Sequence, residues 1–247
     1  MIANITHENR NFKVNLSRPI DISLPLKNGD HNPSAWYVPP VKMEAVVMGD
    51  WVGEVKKGGS VNFFNICFNP HGHGTHTECV GHISERKESI NDAVKTFFFL
   101  SQLISIEPTS SDGDLILTKD ALSHTLKDGI EAVVIRTLPN GNNKKHRAYS
   151  NTNPPYLEKE AAIFLRDKGI KHLLIDLPSV DKEEDGGVLA AHHAFWNYPK
   201  NTRMDCSITE LIFVPSEVED GNYLLNLCFA PFDNDASPSR PTLYSIL

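Results

Sequence analysis

The sequence has no excess of basic residues and no long apolar run. Its 247 residues include 24 Lys and Arg against 31 Asp and Glu, which gives a formal net charge of −7 at pH 7. This balance argues against a nucleic-acid-binding protein, because such proteins neutralise phosphates with a basic face. The apolar run from Thr96 to Leu100 is far shorter than the ~20 apolar residues that span a bilayer. We therefore expect neither nucleic acid nor a membrane among the partners.

Cysteine is scarce, and no CxxC pair of the kind used in redox or zinc motifs is present. The first thirteen residues are polar, without the apolar stretch or the small-residue cleavage site of a secretory signal. A chain without an export signal is expected to keep its thiols reduced. We therefore expect four free cysteines and a cytoplasmic protein; the cysteines are Cys67, Cys79, Cys206 and Cys228.

No internal repeat, low-complexity tract or long flexible linker divides the chain. Hydrophobic residues make up 40% of the sequence and charged residues 22%, which is ordinary for a globular protein with a sizeable core. The stretch from Leu138 to Pro155 is rich in Asn, Lys and Pro and predicts an exposed loop. Its basic cluster, Lys144–Arg147, is interpreted as a solvated turn. We predict a single domain over residues 1–247.

Short β-rich runs alternate with a few helical segments. The predicted strands are Asp21–Leu24, Ala45–Met48, Val61–Phe68, Leu103–Ile106, Ala132–Arg136, His172–Asp176, Glu210–Val214 and Tyr223–Phe229. The predicted helices are Thr118–Leu126, Leu157–Lys168 and Leu189–Trp196, with Gly169 placed to end the second. A helix followed by a short apolar strand at His172–Asp176 is typical of a mixed α/β protein.

The segment from Asn69 to His82 is the richest in chemistry. It reads Asn-Pro-His-Gly-His-Gly-Thr-His-Thr-Glu-Cys-Val-Gly-His, with four histidines and one carboxylate. Imidazole and carboxylate groups are common ligands of catalytic divalent metals. In an extended segment alternate side chains share a face, so His76, Glu78 and His82 are predicted to point the same way. His76 and Glu78 would then lie about 6.6 Å apart at Cα, close enough to reach one ion.

The same segment resembles the motif His-x-Gly-Thr-His-x-Asp-x-Pro-x-His of the bacterial kynurenine formamidase and cyclase family, which includes isatin hydrolases. Gly74, Thr75, His76 and His82 match directly, whereas Glu78 replaces Asp, Val80 replaces Pro and Gly72 replaces the first His. The resemblance extends along nearly the whole chain. Further matching segments are Asp21–Leu26, Ala132–Thr137, Glu160–Ala162, Asp176–Asp181, the region around Glu210, and Ser237–Pro241.

The resemblance implies a swivelling β/β/α fold and a site with one or two divalent ions, Zn or Mn. It assigns His76 and Glu78 as metal ligands. Because Gly72 has no side chain to offer, either His71 or His73 must supply the first imidazole through a local bulge. We favour His71, because Asn69-Pro70 gives the chain an irregular entry at that point.

The resemblance also points to a second source of ligands near the end of the chain. A family His at the start of a short helix corresponds to His192, and a later family Glu corresponds to Glu210. The neighbouring His193 stays open as an alternative to His192. His82 corresponds to the family's general acid/base, and a near-neutral imidazole pKa suits that task.

These assignments predict a metal-dependent amidohydrolase that acts on an N-formyl or cyclic-amide aromatic substrate and forms a homodimer or homotetramer. Candidate walls for an aromatic ring are Trp36, Tyr37, Trp51, Phe63, Phe64, Phe195 and Trp196. Three other interpretations remain open. The chain could be a lactone or ester hydrolase, or a binding or assembly protein whose Gly72 and Glu78 mark lost chemistry. It could also be a thiol hydrolase using Cys79 with His82, although residues three apart on a strand face opposite ways.

Overall fold

The computed structural model of the chain describes residues 1–7 and 10–247. Within these ranges it contains seventeen β-strands and four short α-helices. The strands are β1 (Ile2–His7), β2 (Arg10–Asn15), β3 (Ile20–Asp21), β4 (Lys42–Ala45), β5 (Val47–Met48), β6 (Trp51–Val52), β7 (Phe64–Cys67), β8 (His76–Glu78), β9 (Phe98–Ile106), β10 (Thr109–Ser111), β11 (Asp114–Leu117), β12 (Ala132–Thr137), β13 (Tyr156–Leu157), β14 (His172–Ile175), β15 (Ser207–Glu210), β16 (Gly221–Phe229) and β17 (Ala236–Ser245). The helices are α1 (Ile90–Ala93), α2 (Lys119–Ser123), α3 (Lys159–Asp167) and α4 (Ala190–Trp196). No helix in the described ranges is long and apolar enough to cross a membrane.

A central sheet closes into a barrel-like ring. Its strand order is β16-β9-β12-β14-β15-β8-β17, and β17 pairs back with β16, while β3 is added on the other side of β17. Strands β9, β12, β14 and β15 run parallel, so their carboxyl ends meet at one edge. Strand β8 runs antiparallel to β15, with His76 opposite Glu210. This register brings the central motif to the carboxyl edge of the parallel strands.

Alternation along the parallel strands produces two apolar layers. Val133 and Ile135 of β12 pack in the cluster that includes residues of α2, α3 and α4. Val134 packs on the other side, with Leu225 and Leu243 in the interior of the ring. The mixed α/β fold predicted from the sequence is therefore confirmed.

The predicted helices form, but each is shorter than the sequence pattern suggested. Thr118 caps α2 by accepting a hydrogen bond from the backbone N–H of Ala121 at 3.3 Å. Leu157 belongs to a strand instead of the next helix, and Gly169 ends that helix in a left-handed conformation, with φ of 80°.

The predicted strand Glu210–Val214 is wrong. Strand β15 ends at Glu210, and Leu211 adopts a left-handed conformation with φ of 53°. Ile212 and Val214 are buried in the interior cluster without forming a strand. The apolar pattern of this segment therefore predicted its burial correctly but not its backbone conformation.

The predicted exposed loop from Leu138 to Pro155 is only partly exposed. Tyr149 is buried, and so is Lys144, which the sequence placed in a solvated turn. The ammonium group of Lys144 donates to the carbonyl of Thr137 at 2.6 Å and to the carboxylate of Asp176 at 2.8 Å. The solvated-turn interpretation of Lys144 is therefore wrong, because its charge is matched inside the protein.

Candidate metal centre

Strand β8 presents two candidate ligands on one face. His76 and Glu78 are both fully buried, and Thr77 between them turns the other way to hydrogen-bond Thr209 at 2.8 Å. The Nε2 atom of His76 lies 3.4 Å from Oε2 of Glu210 on the paired strand. The geometry of a strand thus brings together His76 and Glu78, as the motif predicted.

The irregular turn before β8 brings His71, and not His73, to this face. Nδ1 of His71 lies 2.9 Å from Oε2 of Glu78. His73 is instead fixed at both ring nitrogens, because Nδ1 accepts from the backbone N–H of Asn69 and Nε2 donates to the carbonyl of Pro39. Among these residues, only His71 is placed to serve as the first ligand.

The intervening residue has no space for a side chain. A Cβ atom on Gly72 would lie 2.7 Å from a methyl group of Val38 and 3.2 Å from the carbonyl oxygen of Ala35. A histidine at position 72 would therefore collide with the loop around Val38. The first imidazole comes from one residue earlier in the chain.

Helix α4 carries His192 into the site. Its Nε2 lies 3.1 Å from Oε1 of Glu78, and its Nδ1 lies 2.5 Å from Oδ2 of Asp181. Asp181 also accepts the backbone N–H groups of Ala191 and His192, so it fixes both the start of the helix and the orientation of the ring. His193 points elsewhere, since its Nδ1 contacts the carbonyl of Tyr198 at 3.3 Å. Between the two histidines, the structure brings His192 to the site.

Glu210 completes the buried group. Its Oε1 accepts the backbone N–H of Val180 at 2.9 Å, and it lies 3.9 Å from Nε2 of His192. The loop after β14 therefore holds two site residues at once, Glu210 through Val180 and His192 through Asp181.

His82 also belongs to this group, but for a different reason from the one the sequence suggested. The strand ends at Glu78, and Val80–His82 form a 3₁₀ turn. This turn approaches the backbone of Glu88 so closely that a Cβ on Gly81 would lie 2.1 Å from the carbonyl oxygen of Glu88. His82 consequently turns back to lie 3.9 Å from Oε2 of Glu78 and stacks on His71 with ring centroids 4.2 Å apart. The predicted shared strand face was wrong for His82, because a turn and not the strand brings it close to Glu78 and His71.

Sequence reasoning missed one carboxylate of the site. Asp235 lies in the turn before β17, with Oδ2 at 2.8 Å from Nε2 of His71 and 3.6 Å from Nδ1 of His82. No local motif marks Asp235, and it reaches the site only because its backbone carbonyl pairs with the N–H of Cys79 at 3.0 Å. Asp181, by contrast, lies within the matched segment Asp176–Asp181, which signalled its importance without giving its role.

At the centre, burial and neighbouring charges shift the pKa values of the side chains in opposite directions. Burial raises the pKa of Glu78, but the imidazoles of His82, His192 and His71 hold it well below its usual range. Burial lowers the pKa of His192, yet Asp181 and Glu78 raise it to about 10. The pKa of His71 likewise reaches about 10, because Asp235 and Glu78 outweigh its burial. The buried carboxylate therefore requires positive charge around it, supplied by protons or by a metal ion that competes with them.

The donor atoms fit a divalent metal ion. Nε2 of His76 is buried and has no hydrogen-bond partner in the described part of the chain, and both carboxylate oxygens of the buried Glu78 face imidazole nitrogens. Ligand atoms of His71, His76 and Glu78 lie within 4.8 Å of one another, as do those of Glu78, His82 and His192. Two ligands of a tetrahedral ion at ~2.1 Å are separated by about 3.4 Å, which is close to these spacings. Unpartnered buried nitrogen and oxygen atoms are costly unless a ligand satisfies them.

A cavity of about 360 Å³ opens above this group. His71, His82, His192 and Glu210 line its floor, and Trp36, Val38 and Leu189 form apolar walls. Of the aromatic residues proposed as walls, only Trp36 lines the cavity. Phe195 and Trp196 are buried in the helix-side core, while Phe63 and Phe64 are exposed on another surface.

The thiol interpretation finds no support in the geometry. Cys79 is buried, and its Sγ donates to the carbonyl of Glu88 at 3.1 Å. Burial raises the pKa of this thiol to about 12, so little thiolate is available near neutral pH. All four cysteines are free, as the sequence predicted.

Comparisons with known proteins identify the family of this chain. The family model described as "Putative cyclase" matches residues 14–182. Kynurenine formamidase from Bacillus thuringiensis (strain Al Hakam) is 31% identical over 232 residues, covering 92% of this chain and 97% of the relative. The protein of the same name from Bacillus anthracis is 30% identical over 236 residues, with coverage of 93% and 99%.

Solved structures share the fold. An isatin hydrolase bound to the product analogue thioisatinate superposes with a TM-score of 0.65 at 16% identity, covering 94% of both chains. A predicted metal-dependent hydrolase from Bacillus stearothermophilus gives a TM-score of 0.63 at 21% identity, covering 92% of this chain and 98% of that one. The chain belongs to the cyclase family. The family resemblance drawn from the motifs is confirmed.

Proposed function

We propose that this protein hydrolyses the C–N bond of an aromatic N-formyl amide, releasing formate and an aryl amine. The observation that carries the proposal is the fully buried Glu78 carboxylate, which faces the imidazoles of His71, His82 and His192 beneath a cavity walled by Trp36. The relatives at 30–31% identity are named kynurenine formamidases, which favours N-formylkynurenine as the substrate.

The metal ligands in this proposal are His71, His76 and Glu78, with His192 and Glu210 as the ligands nearest to a second position. One or two ions, Zn or Mn, fit this set of nitrogen and carboxylate donors. A divalent cation held there polarises a carbonyl oxygen and acidifies a neighbouring water. Asp181 keeps the proton on Nδ1 of His192, so that Nε2 faces the site.

His82 is the proposed general acid/base. Its side chain is 30% exposed and lines the cavity floor, so it reaches both solvent and substrate. The imidazole takes a proton from the attacking water and returns one to the amine nitrogen as the C–N bond breaks. Asp235, whose Oδ2 lies 3.6 Å from Nδ1 of His82, is placed to orient the ring. Trp36 offers an apolar face to the aromatic ring of the substrate.

Metal content and turnover together test the proposal. Purified protein is expected to carry Zn or Mn and to hydrolyse N-formyl-L-kynurenine, and His76→Ala is expected to lose most of both. His146 is exposed, does not line the cavity and belongs to none of the candidate ligand groups, so His146→Ala is a matched control that should keep both. Unchanged metal stoichiometry in His76→Ala would refute the ligand assignment.

The same measurements separate the alternatives. Preferential hydrolysis of isatin or of a lactone would change the substrate class while keeping the metal centre. A protein that binds no metal under any reconstitution condition and turns over none of these compounds would favour a binding or assembly role.

We further propose a homodimer or homotetramer. The segment from β4 to β7 carries several large, exposed apolar side chains, and large exposed apolar patches often mark interaction surfaces. The group comprises Val47, Met48, Val55, Val61, Phe63, Phe64 and Ile66. A light-scattering mass near 27.6 kDa would contradict the assembly. A cytoplasmic location stays a prediction from the sequence.

A further inference from the structure

A second cavity adjoins the one above the candidate metal centre. It also has a volume of about 360 Å³ and is lined by polar residues only: Asn151, Asn153, Lys182, Glu183 and Glu184. Lys182 and Glu183 line both cavities, so these two side chains form the border that the cavities share. The cleft therefore has an inner part with Trp36 and the metal ligands, and an outer part that is entirely polar.

Lys182 is held at this junction with donor capacity left over. Its Nζ lies 2.7 Å from Oδ2 of Asp114. Asp114 is itself fixed by Asn153, which donates to Oδ1 at 2.9 Å, and by the hydroxyl of Tyr156, which donates to Oδ2 at 3.0 Å. An ammonium group has three N–H donors, and the ion pair with Asp114 uses one of them. The remaining donors are available to an anionic group in the cleft.

The carboxylates around the junction outnumber its single ammonium group. Glu183 accepts the backbone N–H of Asn151 at 2.8 Å through Oε1. Glu184 lines the outer cavity, and Asp185 lines the inner one. With Asp114 already paired to Lys182, the negative charges of this edge favour a cation in the cleft.

A cleft with an ammonium group that can bind an anion and neighbouring carboxylates that can bind a cation matches a zwitterionic ligand. We propose that the outer cavity binds a zwitterionic α-amino-acid group attached to the aromatic part of the substrate, with its carboxylate on Lys182 and its ammonium on Glu183 and Glu184. This assignment rests on the proposed function for the position of the aromatic ring. It makes Lys182 and Glu183 specificity-determining residues that distinguish a substrate with such a tail from the same aryl formamide without it.

Binding of the amine products tests the subsite without any turnover. L-Kynurenine carries the tail, and 2-aminoacetophenone is the same aryl ketone without it. Calorimetry on the metal-loaded protein is expected to show L-kynurenine binding at least about tenfold more tightly, the effect of one charge-assisted hydrogen bond. Lys182→Met and Glu183→Gln should each lower the affinity for L-kynurenine more than the affinity for 2-aminoacetophenone, and so remove most of this preference.

The chain offers a matched control. Lys171 forms an exposed ion pair with Asp205 at the same Nζ–Oδ2 distance of 2.7 Å and lines neither cavity. Lys171→Met should therefore keep the full preference for L-kynurenine. Equal affinities of the two amines in the wild type, or equal loss in Lys171→Met and Lys182→Met, would overturn the subsite.

Kinetics then separate the subsite from the proposed function. The ratio of kcat/KM for N-formyl-L-kynurenine to that for 2-formamidoacetophenone should be at least about ten and should fall toward one in Lys182→Met. A wild-type enzyme that hydrolyses both compounds with equal kcat/KM would refute the subsite but keep the formamidase activity. Hydrolysis of neither, together with preferential binding of L-kynurenine, would refute the formamidase activity but keep the subsite.

Discussion

Replacement of Lys144 by Met is expected to destabilise the fold strongly, even though the sequence places this residue in a polar loop. The side chain of Lys144 is 10% exposed, and that of its partner Asp176 is fully buried. Without the ammonium group, Asp176 keeps only its hydrogen bonds from Thr137. Breaking a buried ion pair by removing one partner costs about 3–5 kcal/mol. For a domain of this size the melting temperature should therefore fall by roughly 6–20 °C.

The loss of stability in Lys144→Met should increase with pH. Burial raises the pKa of Asp176, and Lys144 lowers it. In Lys144→Met the pKa of Asp176 in the folded state rises further above its unfolded value. The neutral carboxyl group tolerates burial, so the deficit is smallest at low pH and grows as the pH rises through the folded-state pKa.

Urea denaturation of the wild type and Lys144→Met at pH 5 and pH 7.5 measures both effects. The exposed pair of Lys171 with Asp205 supplies the control, because Lys171→Met should change the free energy of unfolding by only about 0–1 kcal/mol. A variant of Lys144 no less stable than this control would refute the reasoning, and so would a deficit that grows as the pH falls.

Three further predictions concern single residues. His82→Ala is expected to keep its metal while kcat falls by about 10²–10⁴-fold, and metal analysis showing loss of the ion would make His82 a ligand instead. Burial lowers the pKa of His172 in the folded protein to about 3, so on acidification the unfolded chain is protonated at a higher pH than the folded one. Wild-type stability therefore falls as the pH drops below the ordinary pKa of histidine. His172→Asn should flatten this dependence by up to about 1.4 kcal/mol per pH unit, as measured by urea denaturation between pH 7 and pH 5, and an unchanged slope would contradict it. Gly72→Ala should destabilise by about 1–3 kcal/mol, because its Cβ meets the stiff side chain of Val38 at 2.7 Å, and calorimetric melting at the wild-type temperature would exclude that clash.

The sequence predicted correctly that His76 and Glu78, which are close in the chain, share a face. His76 and Glu78 follow strand alternation, a local rule that holds because β8 is a true strand. The same rule failed for His82, because the chain leaves the sheet after Glu78 and Gly81 permits a close turn against Glu88. Side-chain alternation holds only as long as the backbone is paired in a sheet. The hydrophobic pattern of the sequence does not show where that pairing ends.

The sequence also could not predict which charged side chains pair when they are far apart in the chain. Asp235 reaches His71 across 164 positions of sequence through the pairing of β17 with β8. Lys144 looked solvated because its neighbours are polar, and only the position of Asp176 at the end of β14 shows where its charge is matched. The composition of a segment predicts whether it is buried or exposed on average. A single buried ion pair depends instead on which strands are neighbours in the folded sheet.

Two of the three departures from the family motif, Gly72 and Glu78, are best understood as one compensated change. The crowded backbone at Gly72 leaves no space for an imidazole, so the first ligand comes from His71, one residue earlier. A carboxylate at position 78 must then span from His71 on one side to His192 on the other, and Glu78 does so with one oxygen toward each, at 2.9 and 3.1 Å. The additional methylene of Glu relative to Asp extends the reach of the carboxylate toward the displaced imidazole. A site in which one departure accommodates the other retains its ligand geometry, which argues for a working metal centre and against lost chemistry.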